Sequence, residues 1–326
     1  MTGVFRQKNP GNIVVLFILG FFLKLPYIFG NVAPQTTPHS GIIYTELLDF
    51  LAPFAVVFGN TYSILAFLLL LLQTFLLTRF INTQRLMSQA NFLPGMAFIL
   101  ISSLLPEFNR LSAPLLASVP AFLVCSEMFK SHSPKFGKTN IFNVGMLLSI
   151  ATLIYLPSVL FLLIAFIALI MLRPFKLNEW LVLLLGVITP YYLLAALLFI
   201  TDNFNVAYLY PGFDLFNPTI PHSIWIAGAL FLLLMPLLTG FYYAQKHGGR
   251  MLIHIRKTWT LFVIYLIVGL AVALLNGTAE IDDFIFALAP IAAYHGFGYF
   301  NAEWKPFPKI FFWLSVAFII AYHILG

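Results

Sequence analysis

Glu46 and Asp49 stand three residues apart in a stretch, 42–54, whose apolar residues Ile43, Leu47, Phe50, Leu51 and Phe54 recur at helical spacing. That spacing places both carboxylates on one face of a helix and the apolar side chains on another. A carboxylate so placed can take the proton of an attacking hydroxyl. Two bases are positioned to join the pair. Lys24 falls late in the apolar run 12–29, and Arg110 follows Glu107 by three residues in Pro106-Glu107-Phe108-Asn109-Arg110. A guanidinium matches a phosphate in bidentate fashion, and cations stabilise a departing phosphate. The bases on offer could hold an anionic lipid headgroup or a phosphate. Glu46 and Asp49 are the candidate catalytic residues; Lys24, Arg110 and Glu107 are the candidate substrate-binding residues. Each also has a plainer reading: acids facing water from an interfacial helix, a lysine snorkelling to the interface, and a local Glu107–Arg110 pair.

Other chemistry-bearing residues point to less. Cys125 is the only cysteine, which excludes an intrachain disulfide and a cysteine-based metal cluster, and it reads as a packing residue. Of seven histidines, His39, His222 and His323 fall toward one side of the apolar segments, His132, His247 and His254 toward the other, and His295 within one. They do not converge at one depth, and no His-x-x-x-His or Glu-x-x-His pair occurs, so no metal site is expected. His295 reads as a hydrogen-bonded packing residue. Asp282-Asp283 opens an apolar run, where acids suit a helix N-terminus. The stretch 246–257 carries Lys246, His247, Arg250, His254, Arg256 and Lys257; this reads as a topology determinant, with binding of anionic lipid as the second reading. Asn276-Gly277-Thr278 matches a glycosylation sequon without further support. The sequence specifies no cofactor.

The elements that must position these residues are membrane-spanning helices. The 326 residues are 61% hydrophobic and 9% charged, where a soluble domain is about a quarter charged. So few charges cannot cover a soluble surface. Apolar runs fall at 12–30, 62–80, 92–105, 111–129, 140–156, 158–172, 178–200, 222–242, 258–275, 284–300 and 308–325. Several are about 18–20 residues, enough to cross a hydrocarbon core of about 30 Å. No internal repeat and no soluble domain interrupts them, so 1–326 forms one all-α integral membrane domain. The first run follows Arg6 and Lys8 like a signal sequence, but its length, Lys24 and Pro26 make it an uncleaved first helix. The net charge of +6 is spread over short loops rather than gathered in a basic domain, which argues against nucleic acid.

The number of crossings turns on 143–172, thirty nearly unbroken apolar residues. Lys130, Lys135 and Lys138 precede the stretch, and Arg173 and Lys176 follow it. Basic flanks belong on the cytoplasmic side, so both ends should lie inside. That requires two short helices, the pair 140–172 split at Pro157, since proline removes a backbone donor and turns its predecessor away from helix. About eleven transmembrane helices follow, with the N-terminus cytoplasmic and an amphipathic helix in the first outer loop, near 36–60. On this alternation 15 of the 17 basic residues lie inside. Eight of the 11 acids lie outside: Glu46, Asp49, Glu107, Asp202, Asp214, Glu280, Asp282 and Asp283.

A first helix leading to an acid-bearing amphipathic helix in the first outer loop, then many apolar helices with short loops, resembles the GT-C class of membrane glycosyltransferases over roughly residues 10–200. That resemblance implies a polyprenyl-phosphate-linked sugar as substrate, a first-loop carboxylate as base, matched here by Glu46 and Asp49, and a Glu-x-x-Arg-like motif, matched by Glu107–Arg110. The acids are not adjacent to each other, Leu105 and Pro106 replace the usual His and Lys, and no large periplasmic domain follows. The chain is also similar to a Bacteroidota-type family of polytopic inner-membrane proteins, some labelled carotene oxygenases. The expected location is the cell inner membrane, and the expected partners are membrane lipids and a polyprenyl-phosphate-linked sugar. The competing readings are a lipid or solute transporter and a non-enzymatic membrane subunit.

Overall fold

A computed structural model describes residues 2–7, 9, 11–30, 32–132, 136–202, 204–205, 223–274 and 280–325. Lys8, Lys135, Asp214, His222 and Asn276-Gly277-Thr278 lie outside the described residues. The described chain is helical: α1 (Thr2–Phe5), α2 (Gly11–Phe29), α3 (Ile42–Val57), α4 (Thr61–Thr83), α5 (Leu93–Ser102), α6 (Ala113–Phe129), α7 (Lys138–Ile154), α8 (Phe161–Leu172), α9 (Leu177–Ile200), α10 (Ile224–Gly248), α11 (Ile253–Leu274), α12 (Ile285–Asn301) and α13 (Phe307–Leu325). There is no strand among the described residues, only isolated bridges between Gln35 and Ser112 and between Ser40 and Tyr155. Six of these helices, α2, α4, α9, α10, α11 and α13, are long and apolar enough to cross a membrane. A helix satisfies its backbone groups internally, which is what lipid demands.

The helices sort by burial. Every residue of α12 from Ile285 to Phe300 is buried, and every residue of α5 is buried. These two pack on each other and form the centre, with α10, α11, α4 and α6 around them. The outer helices expose apolar side chains: Leu181, Leu185 and Ile188 on α9, and Trp313 and Ile320 on α13. An exposed apolar face on so long a helix is suited to lipid. α7 lies against α9 through two glycines. A Cβ on Gly145 would come within 2.4 Å of Leu183 O, and one on Gly186 within 2.3 Å of Phe142 O. Small residues let helix backbones approach where no water drives them together.

Contacts between loops gather at two ends of the bundle. At one, Phe92 N donates to Phe5 O, Arg6 to Phe300 O, Arg173 to Phe136 O and Lys257 to Met171 O. At the other, Gln35 N donates to Leu111 O, Gly41 N to Ile154 O and Tyr155 to Asp283. The first end carries Arg6, Arg85, Lys130, Arg173, Arg250 and Lys257 and is called the basic end. The second carries Glu107, Glu280, Asp282 and Asp283 and is called the acidic end. Between Phe136 and Arg173 the chain runs out along α7 and returns along α8. α7 stops at Tyr155, whose extended backbone (φ −150°, ψ 108°) leads into a 3-10 turn, Leu156–Leu160, with Pro157 at its start.

Gly145→Ala and Gly186→Ala are each expected to force α7 and α9 apart and lower the unfolding temperature of the protein in detergent. Gly137→Ala, where an added Cβ meets nothing within 4 Å, should leave it unchanged. Equal effects at all three positions would mean that the α7–α9 approach is not what the glycines secure.

Candidate functional site

The acidic end is assembled from four short connections. The first is the strap 32–41, which crosses the mouth of the bundle. Gln35 N donates to Leu111 O at 2.9 Å, and Leu156 N to His39 O at 3.3 Å. Tyr44, wholly buried at the start of α3, lays its hydroxyl 2.8 Å from Gln35 O and 3.0 Å from Leu111 O. The second is the 3-10 turn Pro106–Asn109, followed by Arg110. The third is Tyr155, where α7 ends. The fourth is the 3-10 turn Ile281–Phe284, which feeds α12.

That last turn buries two adjacent acids. Asp283 is fully buried, and its Oδ1 accepts a hydrogen bond from the Tyr155 hydroxyl at 2.6 Å. Asp282 is 2% exposed, and neither of its carboxyl oxygens has a hydrogen-bond partner among the described residues. Burial pushes the Asp282 carboxyl from an ordinary 3.8 up to about 8; Arg110 pulls it down, while Glu280, Asp283 and Glu107 push it further up. The neighbouring Glu280 carboxyl is raised by its own burial and lowered by Arg110. Glu280 also accepts a hydrogen bond from the Gln35 side chain, which ties the strap to the acids.

The sequence-derived candidates separate into two groups. Arg110 and Glu107, both half-buried, belong to this acidic site, with Arg110 within electrostatic reach of Asp282 and Glu280. No Glu107–Arg110 ion pair occurs among the described residues, and Glu107 Oε2 is buried without a partner among them. Lys24 neither snorkels nor meets an acid. It is 2% exposed, and its Nζ donates to Asn109 Oδ1 at 2.5 Å, Ser102 Oγ at 3.0 Å and Ser102 O at 3.2 Å. Asn109 in turn donates to Ser102 O and Leu105 O, both at 3.0 Å. Lys24 therefore fastens the turn that presents Arg110. Glu46 and Asp49 lie elsewhere. Both are exposed on α3, beside the exposed rings of Phe50 and Phe54, and neither has a hydrogen bond or ion pair among the described residues.

Sequence reasoning passes over Asp282 because two acids at a helix start explain themselves as caps. One signal was present. They head a helix with no polar face, so the turn in front of it has little route to water.

Beside the acids runs an apolar groove of about 220 Å³ between α10, α11 and α12, lined among others by Leu233, Leu237, Leu266 and Leu288. Leu105 and Phe108 close it on the Arg110 side, and Ile281 and Phe284 on the Asp282 side. The groove thus ends at the two turns that carry the charged groups. His295 takes no part; its Nε2 lies 2.8 Å from Leu233 O in the packed interior. Among the described residues no group of three or more His, Cys, Asp or Glu side chains is arranged to hold a metal ion. No family model, curated protein or solved structure matches the chain.

A carboxyl that titrates near 8 can give and take a proton at physiological pH, and a guanidinium beside it can hold an anion. The titration has a sign that can be checked. Between pH 3.8 and about 8 the folded state keeps a proton on Asp282 that the unfolded chain has released. Stability contributed at this site therefore falls as pH rises through that window. Asp282→Asn should remove the fall, so the variant gains in melting temperature over the wild type from pH 5 to pH 9. A constant difference between the two proteins across that range would rule out a proton held at Asp282.

Proposed function

We propose that the chain is a multi-pass inner-membrane transferase of GT-C-like type, acting at the outer leaflet on a polyprenyl-phosphate-linked sugar. The observation that carries this is an apolar groove that ends at the two turns carrying a buried, unpartnered carboxyl and an arginine. The groove suits a long hydrocarbon tail, Arg110 suits the phosphate, and Asp282 suits the proton transfer. Asp282 takes the role that sequence assigns to Glu46 and Asp49, because it is buried beside Arg110 whereas they face outward. In the transfer, the acceptor hydroxyl oxygen bonds to the anomeric carbon of the sugar as the bond from that carbon to the phosphate oxygen breaks. Asp282 in its deprotonated form, a minority below about pH 8 that grows as pH rises, accepts the hydroxyl proton, and Arg110 stabilises the departing lipid phosphate.

The orientation follows from the charges. Basic loops favour the cytoplasm, so the basic end is inside and the acidic end outside. Eleven crossings, α2 and α4 to α13, connect the two ends. The five shorter ones, α5, α6, α7, α8 and α12, are sheltered within or against the bundle, where a helix need not span the full lipid thickness.

Asp282→Asn should lower sugar transfer from a polyprenyl-phosphate donor by at least about 100-fold while donor binding persists. Arg110→Gln should weaken binding of the polyprenyl phosphate itself. Glu46→Gln and Asp49→Asn should stay within about twofold of wild type, a modest surface effect. Full transfer by Asp282→Asn would sink the assignment, and binding of the lipid phosphate without turnover in any protein would favour a transporter or a subunit. Separately, a reporter fused after Pro157 should report as external. A cytoplasmic signal there would remove the split at Pro157, leave a single crossing and reverse every later helix.

A further inference from the structure

At the opposite end of the bundle, an amphipathic pocket of about 280 Å³ opens beside the α10–α11 connection. Arg85, His247 and Arg250 stand at its polar side, with Ser88 and Asn301; Leu86, Met251, Ile255 and Phe297 make its apolar floor. No acid lines it. Glu303, the carboxylate within electrostatic reach of His247, is already held by Lys246. Neither Arg85 nor Arg250 takes part in an ion pair among the described residues. The Nδ1 of His247 lies 2.9 Å from Tyr243 O, which fixes the ring and turns Nε2 away from its own helix.

The backbone supplies an independent observation. Arg85 has φ 52°. Leu86 N donates to Ile81 O and Arg85 N to Asn82 O, so α4 ends in a Schellman motif with Arg85 at the left-handed position. Glycine fits that position without strain and an arginine does not. The connection that follows is held by reciprocal bonds between Asn82 and Asn91, at 2.9 and 3.0 Å. A strained arginine is thus kept, on a fixed loop, facing a second arginine across a cavity. Strain of this kind is retained where a site needs the residue.

We infer that this pocket binds one anionic phospholipid from the leaflet at the basic end, its phosphate between Arg85 and Arg250 and the start of an acyl chain on Leu86, Ile255 and Phe297. A free phosphate ion would use the arginines and leave the apolar floor exposed; a phospholipid covers both. The inference is independent of the transferase reading, which concerns the other end of the molecule.

Native mass spectrometry of the full chain from micelles, with phosphatidylglycerol, phosphatidylcholine and inorganic phosphate as probes, tests it. One tightly held phosphatidylglycerol is expected. Arg250→Gln and Arg85→Gly should each weaken it about fivefold, the loss of one cation near a headgroup. Phosphatidylcholine should bind more weakly and equally in all three proteins. Arg85→Gly should also melt at a higher temperature than wild type in lipid-free detergent, because it relieves the strain while removing the charge. Equal affinity for the two lipids, unchanged phosphatidylglycerol affinity in both variants, or saturation of the site by inorganic phosphate alone would overturn the proposal. So would a lower melting temperature for Arg85→Gly, which would show that the arginine is held by contacts of its own.

Discussion

The hydrogen bond from Tyr155 to Asp283 joins two of the places where the fold departs from continuous helix. Tyr155 is where α7 stops and turns back toward α8, and Asp283 sits in the turn that starts α12. Both side chains are fully buried. A carboxylate and a phenol at that depth each need a partner, and an unmet one costs on the order of 1–3 kcal/mol. Their pairing fixes the entrance of the central helix against the end of the α7–α8 pair. The ring of Tyr155 stacks on Phe286, and Phe161 packs against both Phe286 and Tyr265, so the same junction also ties α8 and α11 to the centre. Asp282, one residue earlier, inherits a position it would not otherwise hold. With Asp283 committed to Tyr155, the adjacent carboxyl is carried into the bundle without a partner among the described residues.

The rest of the acidic end is arranged around that buried pair. The strap 32–41 donates and accepts across three different connections, through Gln35, His39 and Gly41. Lys24 anchors the Arg110 turn from below through Asn109. A lysine amine placed so deep is tolerated only with its hydrogen bonds supplied, and here three acceptors supply them. The consequence is rigidity. Arg110 is presented by a turn fastened at Asn109, and Asp282 by a turn fastened at Asp283, so the two groups face each other from supported positions.

What the sequence reveals and hides follows from the range of the forces involved. Helical character is written in runs of apolar residues, and α2, α4, α9, α10, α11 and α13 can be read from length and hydropathy alone. The short helices are harder, because an apolar run of twelve residues such as α8 does not announce a crossing. There only the flanking Lys138 and Arg173 speak for a chain that goes out and returns. Local spacing made Glu46 and Asp49 conspicuous, since three residues along a helix is a short-range relation. The partners of Lys24 are 78 and 85 residues away, and the Tyr155–Asp283 contact spans 128. No pattern in the primary sequence signals that proximity. Burial of Asp282 is likewise a property of the packed ends and not of the dipeptide.

The distribution of costs across the molecule bears on where it acts. Within the bundle several polar side chains are satisfied: Gln73 by Ser118 and Leu115 O, His295 by Leu233 O, and Thr74 and Thr78 by the preceding turns of their own helix. The ionisable groups in unfavourable states include an unpartnered buried carboxyl at Asp282 and a left-handed arginine at Arg85, the latter worth about 1–2 kcal/mol, while Ser149 Oγ in α7 and Trp259 Nε1 in α11 are also buried without a partner among the described residues. A transporter concentrates such exceptions near the midplane, where half-helices and ionisable groups meet its cargo. Here the buried unpartnered carboxyl and the left-handed arginine lie at the two ends. On the transferase reading proposed above, this is the arrangement expected of a protein that works at the membrane surface, its donor entering the groove beside α12 from the plane of the lipid.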